Sequence, residues 1–147
     1  MADLRAIIAA EEAYVEKALA DIDGALGRDN IGTIELAAIG SFLHNMYSGM
    51  ENILKRLLKA RDIALPEGAT WHKNLIGCAV DAGILPQNVA DDLFEYLGFR
   101  HMFIHGYCFM LEAEHLLPLA RKARPAWNRF TEAIEQGAIE EDGQENE

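Results

Sequence analysis

Little in this sequence supports β-structure, a zinc site or a membrane span. Strand signals are almost absent: there is no alternating β-branched run and no hairpin-type Asn-Gly. The only two cysteines, Cys78 and Cys108, stand apart with no C-x-x-C pairing. Two such residues cannot make a zinc site without His or carboxylate help, and they read as reduced, buried thiols. No apolar run reaches the roughly 18 residues that a bilayer requires. The opening MADLRAIIAAEEAYVEKALA carries acids early and lacks an apolar core with a cleavage site, unlike a signal peptide. A cytoplasmic location without a membrane partner is the expectation.

Basic residues are scarce as well. Lys and Arg number 13 against 24 Asp and Glu, a net charge of -11. Much of that charge is local. From Thr131 to Glu147 there are seven acids and no Lys or Arg; without them 17 acids face 13 bases, or -4. Such a body offers no broad phosphate-binding surface, so any nucleic-acid site must be local. The closing EEDGQENE reads as a solvated, mobile tail. The expected organisation is one helical domain over residues 1–136 and an acidic disordered tail over 137–147.

What the chain does have is helical periodicity and, with half of its 147 residues apolar, enough material for one core. Ile7, Ile8, Tyr14, Val15, Ala18, Leu19 and Ile22 recur at three- and four-residue spacing, which predicts a first helix over about Asp3 to Leu26, ended by Gly24 and Gly27. A long second helix is predicted over roughly Thr33 to Ile63, stopped by Leu65-Pro66-Glu67-Gly68. Its face away from the apolar stripe carries Lys55, Arg56, Lys59 and Arg61, either a solvated face or an RNA track. A short third helix is expected from His72 to Ala82, closed by Gly83. A fourth should cover Gln87 to His105, with Pro86 where a helix can begin. A last helix should span Leu111 to Gln136, kinked or divided at Pro118 and Pro125. The fold class is therefore all-α: four main helices plus a short extra one.

The stretch from Leu97 to Met110 stands out, being apolar on most faces yet holding Arg100, His101, His105 and Tyr107. A helix that is apolar all round is normally buried. Charged groups within one must meet partners or line a cleft. At 100° per residue, Arg100 and Tyr107 share a stripe, whereas His105 points roughly 140° from Arg100. A common site then requires Gly106 to relax the helix or a second chain to contribute. Arg100 could instead form a buried salt bridge with Glu51 or Glu95. His101 could support a site or bond within the core. His101 and His105 are also an i, i+4 pair with no obvious third metal ligand. Tyr47 and Glu51, one turn apart on the long helix, either orient Arg100 or pack. Trp71 and His72 read as pins for the short helix, and His44 and His115 as structural or exposed.

Arg100-x4-His105-x-Tyr107 resembles the R-x4-H-x-Y form of the HEPN signature found in HepT toxins, the partners of MNT-type nucleotidyltransferase antitoxins. The stretch Leu43-His44-Asn45-Met46-Tyr47-Ser48-Gly49-Met50-Glu51 is similar to the family's long-helix pattern around a Tyr and a Glu. Trp71-His72-Lys73-Asn74-Leu75 is similar to its W-H-x-x-L element, and Phe99-Arg100-His101 to its F-R-H triplet. In order and spacing the resemblance covers about residues 35 to 120. Where many relatives carry a second Arg just before the motif His, this chain has Ile104.

The resemblance implies a HEPN-type bundle and a homodimer acting as the toxin of a type VII toxin–antitoxin module. It implies a metal-independent endoribonuclease with no cofactor, which cleaves RNA through attack of the 2′-hydroxyl on phosphorus. His105 suits the proton acceptor and Arg100 the cation for the developing charge, with His101, Glu51 and Tyr47 in support. Tyr107 is implied to receive AMP from the antitoxin, which would block the pocket and repel phosphate. The alternatives are a catalytically silent HEPN domain that binds a nucleotidyltransferase or its substrate, and a plain helical interaction module.

Overall fold

The structure, a computed structural model, describes residues 3–105 and 112–145. Tyr107, Cys108 and Gly106 lie outside the described residues. Five helices and no strand occur within them: α1 (Leu4–Leu26), α2 (Thr33–Ala60), α3 (Trp71–Asp81), α4 (Gln87–Ile104) and α5 (Ala113–Glu145). The all-α expectation, with one helix much shorter than the rest, describes this bundle.

Helix ends follow local chemistry. Asp3 caps α1, its carboxylate accepting from the Arg5 N–H at 3.1 Å. The Glu35 carboxylate reaches back to accept from the Gly32 N–H at 2.9 Å and begins α2. Gly83, at φ 76°, closes α3 with its N–H on Val80 O (3.0 Å) and the Ile84 N–H on Ala79 O (2.9 Å). The same paired closure ends α2 three residues before the expected boundary. There Asp62 takes the left-handed conformation (φ 58°), with its N–H on Lys59 O and the Ile63 N–H on Leu58 O, each at 3.0 Å.

α1 and α2 form the most extensive helix pair, and α3, α4 and α5 pack around α2. Val15, Leu19 and Ile22 of α1 meet the α2 stripe of Ile39, Leu43, Met46, Met50, Ile53 and Leu54, all with at most 1 % exposure. The helices cross closely at Gly49: a Cβ added there would collide with Val15 Cγ2.

α5 is neither divided at its prolines nor ended at residue 136. It runs continuously through Pro118 and Pro125 to Glu145, past the expected helix end at Gln136. Each proline costs about 3 kcal/mol inside a helix. The buried stripe Ala120, Ala123, Trp127, Phe130 and Ile134 offsets that cost, because packing of one face supplies most helical stability in a protein. Both prolines are exposed, so water can reach the carbonyls they leave unbonded. Polar ties add register. Glu16 of α1 accepts from Trp127 Nε1 (3.0 Å) and Arg124 Nη1 (3.1 Å), and Tyr96 of α4 donates to Leu119 O (2.8 Å). Past residue 136 the helix is still anchored. Arg61 donates to Ala82 O at 2.9 Å and to the carbonyl of buried Gly137 at 3.5 Å.

Candidate active site

Three elements converge at one end of α4. His44, Tyr47 and Glu51 lie at i, i+3 and i+7 on α2 and so share a face. Trp71 and His72 open α3. Arg100 and His101 sit in the last turns of α4, and His105 is its C-cap.

Between the start of α3 and the end of α4 lies a pocket of about 600 Å³. Its polar lining residues are Thr70, His72, Lys73, Arg100, His101 and His105. No Asp or Glu lines it among the described residues. In a chain of net charge -11 this is the local basic site that the charge distribution requires of any anion-binding function.

His105 and Arg100 therefore border one pocket within a single chain, contrary to the expectation from an unbroken helix. The reason is that α4 stops at Ile104. His105 has φ -82° and ψ 16°, and its N–H bonds His101 O at 3.2 Å. Its ring lies 4.3 Å from that of His101, centroid to centroid. Nor is this segment buried all round: His101, Met102, Ile104 and His105 are exposed. No third metal-ligating group joins the two histidines among the described residues. The one cluster of three such groups there, Glu112, Glu114 and His115, is exposed.

Arg100 is half-buried, and its Nε is buried without a hydrogen bond among the described residues. The two carboxylates considered as its partners are engaged elsewhere. Glu95 pairs with Lys122 at 2.7 Å. Glu51, 4 % exposed, pairs with His72 Nδ1 at 2.5 Å. An arginine held this way, with no carboxylate partner among the described residues, has the chemistry to bind an anion.

Behind the pocket, α2 feels that charge. Burial lowers the His44 pKa, and the Arg100 guanidinium lowers it further, against the opposing pull of Glu51. The His44 ring stacks on Phe103 at 5.6 Å, and its Nδ1 is buried without a hydrogen bond among the described residues. Burial, and then the Glu51 carboxylate, push Tyr47 well above the ordinary phenol range, with Arg100 opposing. The Tyr47 hydroxyl, although close to Glu51, makes no hydrogen bond of good geometry among the described residues.

Glu51 and Tyr47 thus stand behind the pocket and do not line it. His72, read from sequence as a pin, both pins and lines. Its bond to Glu51 ties α3 to α2, and its ring stacks on Trp71 at 3.6 Å, over which Lys55 Nζ sits 4.2 Å from the ring centre. Nothing local in the sequence pairs residues 51 and 72; only the invariable need of a buried carboxylate for a partner could have prompted the search.

Among known proteins, the model of a family described as HepT-like protein matches residues 38–138. That span covers the site on α2, all of α3 and α4, and most of α5. No curated protein and no solved structure shows significant similarity to the chain. The matched span is more than two thirds of the sequence and contains every residue of the pocket, and the chain belongs to the HepT-like family.

Proposed function

We propose that the protein is a toxin endoribonuclease that cleaves single-stranded RNA at the pocket between α3 and α4. The observation that carries this reading is the pocket in which, among the described residues, no acid lines the wall and Arg100, without a carboxylate partner, stands with His105. Cleavage by the 2′-hydroxyl needs a base for that hydroxyl and a cation for charge developing on the phosphoryl oxygens. His105, exposed at the helix end, serves as the base. Arg100 supplies a fixed charge with a fork that fits phosphate oxygens. His101 beside His105, and Glu51 and Tyr47 behind Arg100, hold the site. The scheme uses side chains alone.

Family membership supports the rest of the reading. The partner is an MNT-type nucleotidyltransferase antitoxin that transfers AMP from ATP to the Tyr107 hydroxyl and releases pyrophosphate. The added anion, two residues from His105, repels RNA phosphate and fills the approach. The working unit is a homodimer, for which the exposed apolar side chains of Met102 and Ile104 beside the site provide a surface.

The test is cleavage of an RNA oligonucleotide by the purified chain. Arg100→Ala and His105→Ala should each lower the rate at least about 100-fold with unchanged melting temperature. An inert wild-type protein on a broad set of RNAs would overturn the reading. Incubation with a nucleotidyltransferase and ATP should add AMP mass to the Tyr107 peptide and silence the enzyme; unaltered modification in Tyr107→Phe would remove that residue from the switch. One observation favours a second reading, a silent domain that binds a nucleotidyltransferase. Ile104, 47 % exposed, places an apolar side chain where a second cation would help to hold RNA. Co-purification with a nucleotidyltransferase, without RNA cleavage, selects it.

A further inference from the structure

Attack by a 2′-hydroxyl needs two proton movements, one from the attacking oxygen and one to the departing 5′-oxygen. His105 accounts for the first. The pocket is lined by three imidazoles, those of His72, His101 and His105, and the setting of His72 differs from that of an ordinary packed histidine. His72 lines the pocket with Arg100 and His105. Its Nδ1 meets Glu51 at 2.5 Å, and its side chain is 20 % exposed against 6 % for that of Glu51. A buried carboxylate only accepts, so Nδ1 carries the hydrogen and Nε2 is left as the exchanging atom. Nε2 makes no hydrogen bond among the described residues. Stacking on Trp71 at 3.6 Å fixes the plane of the ring. A carboxylate that orients one nitrogen of a ring lining a cleft, and leaves the other nitrogen unbonded, is an arrangement suited to proton transfer.

We propose that His72, oriented by Glu51, is the general acid of the cleavage reaction, opposite His105 as base. The assignment rests on the nuclease reading above. As the O2′–P bond forms, His105 takes the 2′-hydroxyl proton. As the P–O5′ bond breaks, His72 gives its Nε2 proton to the 5′-oxygen. The products are a 2′,3′-cyclic phosphate and a 5′-hydroxyl, and both rings regain their starting protonation by exchange with water. The acid role falls to His72 because a buried carboxylate holds its Nδ1 side, whereas the rings of His101 and His105 are exposed and pair with no carboxylate among the described residues.

The experiment compares two oligonucleotides cleaved by the full chain, one with an ordinary 5′-oxygen at the scissile linkage and one with sulfur there. Sulfur departs without a proton. His72→Asn keeps a nitrogen donor for Glu51 and removes Nε2, so the tie between α2 and α3 survives; melting temperature verifies this. The expected result is a loss of at least about 100-fold on the oxygen linkage and a rate within about 10-fold of wild type on the sulfur linkage. His105→Ala should be slow on both. Equal loss by His72→Asn on both linkages, or no loss on either, overturns the assignment while leaving the nuclease reading intact. A wild-type protein that cleaves neither linkage overturns the nuclease reading and the assignment with it.

Discussion

Tyr47 buries a hydroxyl that forms no well-aligned hydrogen bond among the described residues, although its ring is fully enclosed. An unmade buried bond costs about 1–3 kcal/mol, so deleting the oxygen removes a penalty. Tyr47→Phe should leave stability unchanged or raise it by up to about 1 kcal/mol in urea unfolding; a loss of similar size would mean that the hydroxyl bonds Glu51 in solution. His44 gives a pH dependence. Its folded pKa lies below the ordinary 6.5, chiefly through burial, so the unfolded chain binds the proton more readily. The neutral ring's contribution is therefore complete above about pH 6.5 and is lost as pH falls through the folded value. The wild type should lose more stability than His44→Phe between pH 7 and pH 5, by thermal melting, and Arg100→Ala should raise the His44 pKa in an NMR titration. Arg100, His101 and His105 were legible as a group because they lie within six residues. The Glu51–His72 pair was not, because it joins helices whose facing is set by tertiary packing.

Among the helices, most boundaries were readable to within about a residue; the end of α2 and the continuity of α5 were not. Gly83 ends α3 as its sequence position suggests, whereas Asp62 performs the same turn without a glycine to announce it. α5 defeats the proline rule because a buried stripe on its opposite face outweighs two missing hydrogen bonds. The closest seam is that of Gly49 against Val15. Val15 is fully buried and β-branched, with one strongly preferred rotamer, so it cannot swing aside. Gly49→Ala should gain about 1 kcal/mol in helix propensity and lose more to overpacking, for a net destabilisation of about 1–2 kcal/mol in urea unfolding. A stabilised variant would show that the two helices can separate at no cost.

For the molecule as a whole, the charge balance was legible, and Lys73 and Arg100 line a pocket that no Asp or Glu lines among the described residues. On the proposed function, two opposing fields would act on RNA. Contacts inside the pocket attract phosphate at short range, while the acidic body repels a long chain over the Debye length of about 10 Å at 0.1 M salt. Cleavage of a dinucleotide should fall as salt rises from 20 to 200 mM, and cleavage of a long RNA should fall less or increase, as read from kcat/KM; equal slopes would mean that the body's charge is not felt. The Gly49 seam reaches further than stability. Gly49 and Glu51 are two residues apart on one rigid helix, so the N-terminal helix, which contributes no group to the pocket, fixes the height at which Glu51 meets its imidazole. The first 30 residues, outside the span that matches the family, thus act as a datum from which the Glu51–His72 pair is aligned, and a shift of that seam should be felt in the pocket.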